Sequence, residues 1–343
     1  MSRFNLLILV FLLFACQKEL DLKIDNVKQL SFEGDNGEAY LSDDQTRLVF
    51  QSKRSGNDCD KLYTINVDGS NLEEFELKDG AFTCAYFSLE DQYMFFSSTM
   101  KDGPECPEIY KHPNPRKYIW PLRNYEIFRW DGTSIKQLTN YPGYNAETTT
   151  HPKEKRVIFT SMRDGDIDLY SMDYDGKNLM RITSEYGYDG GAFYSPDGNQ
   201  IVWRAWYPSN EDEKNKWANN LEKKFIEAVP LDIYIANSDG TNKTRLTKNG
   251  ATNWSPSWHP DGKHIIFSSN MDDWREDYNA YGSNFELYLI NIKSKKITRL
   301  TENKTFDSFP VFSKNGKKII FSSNRDAENP RNTNIFIADV VDK

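Results

Sequence analysis

The chain has 343 residues, of which 38% are hydrophobic, 14% aromatic and 27% charged, and its formal net charge is −8. This composition is that of a folded globular protein with a sizeable core, which excludes a disordered chain and a membrane-spanning one. The net charge is acidic and no Lys/Arg block stands out, so nucleic acid is not expected as a partner. A neutral or basic molecule, or a sugar, is the expected partner.

The first predicted element is a targeting segment. Arg3 supplies a positive charge, residues 4–14 form an apolar stretch too short to span a bilayer, and Ala15-Cys16 follows at once. The pattern resembles the signal of bacterial lipoproteins, in which cleavage before a cysteine frees it for acylation. The resemblance implies a signal peptide over residues 1–15 and lipidation of Cys16, with residues 16–26 as a linker.

The destination follows from the same resemblance. Gln17, and not aspartate, comes after the cysteine, which in this class of proteins favours the outer membrane. Several acyl chains together anchor a protein stably without a membrane-spanning segment. We therefore expect the lipid to be the sole attachment of the protein to the membrane. The alternative is an ordinary secretory signal with an incidental Cys16.

A unit of about 44 residues then recurs six times. Each copy contains a turn signature, and successive signatures are 46, 63, 44, 64 and 54 residues apart, so three units carry extra segments. A period near 44 is typical of β-propeller blades. The six signatures are Leu41-Ser42-Asp43-Asp44, Phe87-Ser88-Leu89-Glu90-Asp91, Thr150-His151-Pro152-Lys153, Tyr194-Ser195-Pro196-Asp197-Gly198, Trp258-His259-Pro260-Asp261-Gly262 and Phe312-Ser313-Lys314-Asn315-Gly316.

Each unit predicts four antiparallel strands in the same order. The innermost strand precedes the turn signature, and a β-branched or aromatic run such as Ile265-Ile266-Phe267 follows it as a strand buried on both faces. An alternating segment such as Leu287-Tyr288-Leu289-Ile290 comes third. A hairpin turn such as Asp239-Gly240 then leads to a short outer strand such as Arg245-Leu246-Thr247.

The two ends of the chain share one blade. The last unit stops at residue 343 after its third strand, while Val27-Lys28-Gln29-Leu30-Ser31 matches the missing fourth strand. We therefore predict that the N-terminal strand pairs with the last blade and closes the ring, which leaves only short, protected sheet edges. The expected fold is all-β, a single six-bladed β-propeller over residues 27–343.

The repeated pattern SPDGxxIxFxS…DIYxxxxDGxxxxRLT resembles the WD-like repeat of TolB-like six-bladed β-propellers, over residues 27–341. TolB carries an additional N-terminal α/β domain, for which the short predicted linker leaves no room, so we expect a TolB-like protein and not TolB itself. The same repeat is fused to hydrolase domains in prolyl-oligopeptidase-like enzymes, but no such domain fits after residue 341.

Three insertions elaborate one face of the predicted disc. They span residues 99–124, 206–230 and 271–283, which all lie in loops between second and third strands, and they are rich in aromatic residues. Flat rings with a polar group suit sugar stacking or protein hot spots, so Trp206, Trp217 and Trp274 are ligand-binding candidates. The alternative is that the rings only pack the long loops onto the disc.

A polar position recurs six residues before the turn signature. We expect it to ring the mouth of the central channel on the elaborated face, where Asn145, Asp189, Asn253 and Asp307 are ligand-binding candidates. The alternative is that these side chains bond the backbone where each innermost strand begins. The six residues at this ring position are Asn36, Phe82, Asn145, Asp189, Asn253 and Asp307.

Acidic residues also recur just before the third strand. We interpret them as structural partners of Arg54, Arg163 and Arg325, which follow second strands. They are Glu126, Asp168, Asp232 and Glu286, with Asn334 in the sixth unit.

Motifs for zinc hydrolysis, serine hydrolysis and nucleotide binding are absent, so we expect no cofactor and no metal. His151 and His259 replace the turn serine on the face opposite the insertions, which we call the plain face. The chain does not supply the histidine cluster of oligogalacturonate-lyase-like propellers. Cys59, Cys84 and Cys106 allow one disulfide among three possible pairs. A zinc site made of these three is a remote alternative.

These patterns predict a monomeric, lipid-anchored propeller of the cell envelope that binds a protein or glycan through its loop-rich face without catalysis. The alternative, from a different functional class, is a glycan lyase or hydrolase at the channel mouth that uses Asp189 and Asp307.

Overall fold

The computed structural model describes residues 20–77, 79–114, 119–273, 284–327, 329 and 332–343. Cys16 and Trp274 lie outside these residues. Within them, no helix is both long and apolar enough to cross a bilayer.

The described residues form six four-stranded blades and a two-stranded sheet in the insertions. Strand β1 spans Leu22–Gln29, and blade 1 contains β2 (Asp35–Leu41), β3 (Arg47–Lys53), β4 (Lys61–Asn66) and β5 (Glu73–Glu74). Blade 2 and its insertion contain β6 (Phe82–Phe87), β7 (Met94–Ser98), β8 (Ile119–Pro121), β9 (Glu126–Trp130) and β10 (Ile135–Gln137), with 3₁₀ turns at Leu89–Asp91 and Met100–Asp102.

The remaining blades repeat the pattern. Blade 3 contains β11 (Asn145–Thr150), β12 (Arg156–Ser161), β13 (Asp168–Asp173) and β14 (Met180–Arg181). Blade 4 and its insertion contain β15 (Tyr188–Tyr194), β16 (Gln200–Trp206), α1 (Glu211–Glu222), β17 (Phe225–Glu227), β18 (Asp232–Asn237) and β19 (Thr244–Arg245). Blade 5 contains β20 (Asn253–Trp258), β21 (His264–Ser269), β22 (Glu286–Asn291) and β23 (Ile297–Arg299), and blade 6 contains β24 (Asp307–Phe312), β25 (Lys318–Ser323) and β26 (Asn334–Asp342).

The predicted ring closure is confirmed. The sixth sheet has the order β1-β26-β25-β24, so its outermost strand comes from the N-terminus. β1 pairs antiparallel with β26 from Leu22 opposite Asp342 to Gln29 opposite Phe336. The strand begins upstream of the predicted Val27, because the alternation Leu22-Lys23-Ile24-Asp25 already continues the half-buried pattern of an outer strand.

The core lies between the blades. Each second strand carries an apolar run that is at most 2% exposed, and Ile265, Ile266 and Phe267 in β21 have no exposed surface. Ile265 and Phe267 pack with Val202 and Ile233 of the preceding blade, so neighbouring sheets face each other across a shared core. Burial of one such side chain stabilises the fold by about 1.5–3 kcal/mol.

A backbone hydrogen bond joins each innermost strand to the preceding blade. The amide N–H at every ring position donates to the carbonyl just before the third strand of that blade, over 2.9–3.1 Å, as Asn145 does to Tyr125. Two residues later each innermost strand has a bulge with a positive φ. A bulge re-aims a side chain, and the six bulge residues all line a small cavity on the propeller axis: Glu38, Cys84, Glu147, Gly191, Ser255 and Phe309.

Candidate functional site

The insertions of blades 2 and 4 combine into one structure on the elaborated face. β8 pairs antiparallel with β17, so two segments more than a hundred residues apart in sequence form a small sheet. Helix α1 precedes β17 and is capped by Asn210, whose side chain accepts the backbone N–H of Glu213. Trp217 and Leu221, one helical turn apart, are the apolar residues that α1 buries.

The described tryptophan candidates pack the insertion. Trp217 is 2% exposed, and its indole N–H donates to Asp166 Oδ1 over 2.8 Å. Trp206 is half-buried, with its ring centroid 5.7 Å from that of Trp217. These contacts support the packing interpretation for both residues. Trp274 lies outside the described residues.

A disulfide also holds the insertion of blade 2. Cys59, in the loop of blade 1, is bonded to Cys106, with their Cα atoms 5.6 Å apart. Cys84 is a buried free thiol beside the axial cavity. One of the three possible pairs is therefore formed, and a zinc site made of all three cysteines is not what the structure shows.

The ring residues join neighbouring blades. The prediction that their side chains open onto the channel mouth does not agree with the structure, in which they are buried. The Asn145 amide donates to the carbonyls of Tyr125 (3.1 Å) and Tyr141 (2.9 Å), while its oxygen accepts from Ser161 (2.7 Å). Asn253 repeats this pattern with Leu231 and Ser269. Both side chains are at most 1% exposed, so the bonds support the structural alternative.

The two acidic ring residues are equally buried but differ in their partners. Asp307 accepts from Arg325 and Asn303, each over 2.6 Å. Asp189 accepts only the neutral donors Trp203 and Tyr207, both over 2.6 Å, and burial raises the pKa of its carboxyl to about 7. Neither carboxyl has exposed surface, so the glycan-active alternative gains no accessible acid pair from these residues.

The recurring acidic residues have different partners from those we predicted. Arg181 and Arg299, on fourth strands, bind Asp168 (2.6 Å) and Glu286 (3.0 Å). The arginines that follow second strands instead reach the ring position, as Arg163 does to Asn145 over 3.3 Å. The contacts are structural, as predicted. The pairs of Asp168, Asp232 and Glu286 tie the third strand to the fourth within one blade, whereas Glu126 binds Lys101 of the insertion over 2.6 Å.

One group in the described part of the chain has donors spaced as for a metal ion: His259, Asp261 and His264, within 4.8 Å of one another. Asp261 accepts from His264 Nδ1 (2.7 Å) and from the backbone N–H of Lys263 (2.8 Å). Asn291 donates its amide to His264 Nε2 (3.1 Å), which leaves the ring proton on Nδ1. Hydrogen bonds that hold the plain-face turn thus occupy these atoms.

A buried ion pair fills the propeller axis. Arg204, from the second strand of blade 4, pairs with Glu147, and its guanidinium carbon lies 3.9 Å from the ring centroid of Trp254. Burial opposes the charge of Arg204, but Glu147 more than offsets this and raises the pKa of Arg204. A Cβ atom at Gly191 would lie 1.8 Å from Arg204 Nη1, so only glycine leaves room for this side chain.

The axial cavity beside this pair is small. Its volume is about 20 Å³, room for about one water molecule. Glu38 lines it, and burial raises the pKa of Glu38 to about 7. Towards the plain face, Tyr40, Tyr86 and Phe193 from three blades meet with ring centroids 5.1–6.0 Å apart. The channel is therefore blocked within the disc.

Above the ion pair, a funnel of about 1030 Å³ opens on the elaborated face. Trp120, from the insertion, and Trp254, from an innermost strand, lie 4.9 Å apart between ring centroids and form its aromatic floor with Tyr188. Its charged lining residues are Asp35, Asp60, Glu227, Asp272, Asp273, Glu286, Arg299 and Lys304. Within the described part of the chain, this funnel is open to solvent, whereas the ring residues are buried.

Sequence reasoning missed Trp254 and Arg204, although alignment of the repeats marks both. Trp254 follows the ring position, where the other blades have only small residues: Gly37, Thr83, Ala146, Gly190 and Ser308. Arg204 occupies a second-strand position that the other blades fill with uncharged polar residues: Gln51, Ser97, Thr160, Ser268 and Ser322. Departures from the repeat were the available signal.

Comparisons with known proteins agree with the fold. No family model matches the chain. The Tol-Pal system protein TolB of Francisella tularensis subsp. mediasiatica is 33% identical over 226 residues, 54% of this chain and 50% of that protein, so the chain spans about half the length of the curated relatives it matches.

Two solved structures show the same architecture. TolB from Acinetobacter baumannii aligns with a TM-score of 0.56 at 17% identity, over 91% of this chain and 64% of that one. An oligogalacturonate lyase from Vibrio parahaemolyticus aligns with a TM-score of 0.52 at 13% identity, over 93% and 97%. At these identities the likeness concerns the fold alone.

Proposed function

Because this chain is a TolB-like six-bladed β-propeller, we propose that it is a non-enzymatic binding scaffold of the cell envelope. The funnel on the elaborated face is the site, and a partner protein is the ligand that its size fits best. At about 1030 Å³ it is as large as the largest small-molecule sites, and a projecting protein segment would fill it. The blocked axis below it favours binding of an end or loop over passage of a chain.

The proposal includes a lipid anchor at Cys16 in the outer membrane, with the propeller as a monomer. The anchor is supported by the sequence pattern of residues 3–16, which resembles the signal of bacterial lipoproteins. Such an anchor would hold the funnel close to envelope proteins without a membrane-spanning segment.

Capture from envelope extracts tests the scaffold role. The full chain, bound to beads, is incubated with detergent-solubilised envelope, alongside the variants Trp120→Ala and Leu179→Ala. Trp120 lines the funnel floor, whereas Leu179 is 48% exposed on the outer edge of blade 3. We expect wild type and Leu179→Ala to retain the same envelope protein. Trp120→Ala should retain at least tenfold less of it, although the melting temperature of this variant should stay within a few degrees of wild type.

Two outcomes would overturn the scaffold role. One is equal retention by Trp120→Ala, which would place binding outside the funnel. The other is no capture of a protein and no signal on a glycan array, together with release of products from an incubated polysaccharide, which would favour the glycan-active alternative.

The anchor has its own test. Metabolic labelling with an alkynyl fatty acid should mark the wild-type chain and should fall to background in Cys16→Ser, because the thioether and the new α-amino group both belong to that residue. Cys84→Ser is the matched control, since Cys84 is a buried free thiol. Unchanged labelling of Cys16→Ser would refute the anchor.

A further inference from the structure

The funnel wall is strongly acidic. Six carboxylates and two basic side chains line it. Arg299 is already committed to Asp272 (2.8 Å) and Glu286 (3.0 Å), so it neutralises none of the remaining acids. Lys304 is exposed to solvent. The wall therefore carries a negative charge that its own cations do not balance.

Three of the carboxylates have no cationic partner within 4.0 Å among the residues that the structure describes: Asp35, Asp60 and Asp273. Asp35 and Asp273 are nonetheless held in place. Asp35 accepts the backbone N–H of Thr333 (2.9 Å), and Asp273 accepts that of Asn284 (3.0 Å). Burial raises the pKa of Asp60. The charge of Arg123 opposes this rise, and the nearby charge of Asp35 adds to it. Asp35 and Asp60 act on each other as like charges, and Asp273 lines the same cavity, so the cleft attracts a cation.

The floor of the same cavity is aromatic. Trp120 and Trp254 are both half-buried, so part of each ring remains open to the funnel. Aromatic rings attract cationic side chains and also pack the aliphatic stems of lysine and arginine. Carboxylate walls above an aromatic floor therefore suit a ligand that is both basic and partly apolar.

We infer that the funnel binds a basic polypeptide segment, with lysine or arginine side chains opposite Asp35, Asp60 and Asp273 and their stems against Trp120 and Trp254. This inference rests on the proposed scaffold function and names the chemistry of the partner. The occupant is a projecting loop or terminus, since the Arg204–Glu147 pair closes the axis beneath the floor.

Fluorescence anisotropy with two labelled decapeptides, (Lys-Gly)₅ and (Glu-Gly)₅, tests the inference on the full chain. The double variant Asp35→Asn/Asp60→Asn is compared with Asp68→Asn/Asp239→Asn, which removes the same charge from exposed plain-face turns. We expect the lysine peptide to bind wild type, to bind the funnel variant about tenfold more weakly, a change of about 1.4 kcal/mol, and to bind the control variant within twofold of wild type.

Equal weakening in both double variants would show attraction to overall charge, and the inference would be refuted. Equal binding of the glutamate peptide, or no binding of the lysine peptide at 1 mM, would refute it as well. The envelope capture assay separates the two proposals. A partner lost by Trp120→Ala but retained by Asp35→Asn/Asp60→Asn would leave the scaffold function in place and remove the basic ligand.

Discussion

Replacement of Glu147 by glutamine should lower the free energy of unfolding by about 3–5 kcal/mol, because it leaves the buried guanidinium of Arg204 without a counter-charge. Arg204 is 3% exposed and Glu147 is 7% exposed, so water cannot compensate for the lost partner. Glu147 also accepts the hydroxyl of Thr160 (2.7 Å) and the backbone N–H of Gly191 (3.0 Å), which glutamine can satisfy only in part. Urea unfolding followed by tryptophan fluorescence measures the change.

Two comparisons isolate the charge. The double variant Glu147→Gln/Arg204→Met removes both charges and should recover at least half of the loss, since a buried pair is replaceable by apolar side chains of similar size. Glu185→Gln removes one partner of the half-exposed Lys243–Glu185 pair and should cost less than about 1 kcal/mol. A cost for Glu147→Gln no larger than that of Glu185→Gln would contradict the axial role of the pair.

Deletion of residues 20–30 should cost about 5 kcal/mol or more, the larger of the two effects. It removes the burial of Leu22 (4% exposed) and Leu30 (2% exposed), each worth about 1.5–3 kcal/mol, together with the hydrogen bonds of the β1–β26 ladder. It also leaves β26 as an open edge of nine residues. Differential scanning calorimetry should show a lower melting temperature or no cooperative transition.

A permuted chain distinguishes closure from general damage. Residues 20–31 are moved to follow Lys343 through an inserted Asn-Gly pair, a sequence that favours a hairpin between two antiparallel strands. Because Leu22 lies opposite Asp342, the transferred strand can reach its native register. The permuted chain should regain most of the melting temperature. A deletion variant as stable as wild type, or a permuted chain no more stable than the deletion variant, would contradict closure of the ring by β1.

The fold was predictable because the same physical pattern occurs six times. A single alternating segment is weak evidence for a strand, but six copies in one order leave only a closed ring of similar sheets. The ring closure followed from the same reasoning, since the fourth-strand pattern missing after β26 reappears before β2. Repetition also explains why the ring residues make structural contacts. A residue that recurs in every blade serves a contact that recurs in every blade.

The site was harder to predict because it depends on contacts between departures from the repeat. Trp120 and Trp254 are 134 positions apart in sequence and meet only after the insertions fold over the disc. The pairing of β8 with β17 has no signature in either segment, each of which is three residues long. Arg204 needs glycine at position 191, a pairing visible only once β15 and β16 are side by side.

Ring closure also sets the direction in which a tethered propeller would face. β1 starts at Leu22 beside Asp342, and Val340 donates to Lys317 next to the turn Ser313–Gly316, so the chain enters the disc at the rim of its plain face. If Cys16 carries a lipid, six residue steps separate it from Leu22, so the linker spans at most about 20 Å. The entry point at the edge of the plain face would then lie close to the bilayer, and the funnel on the opposite face would point away from the membrane.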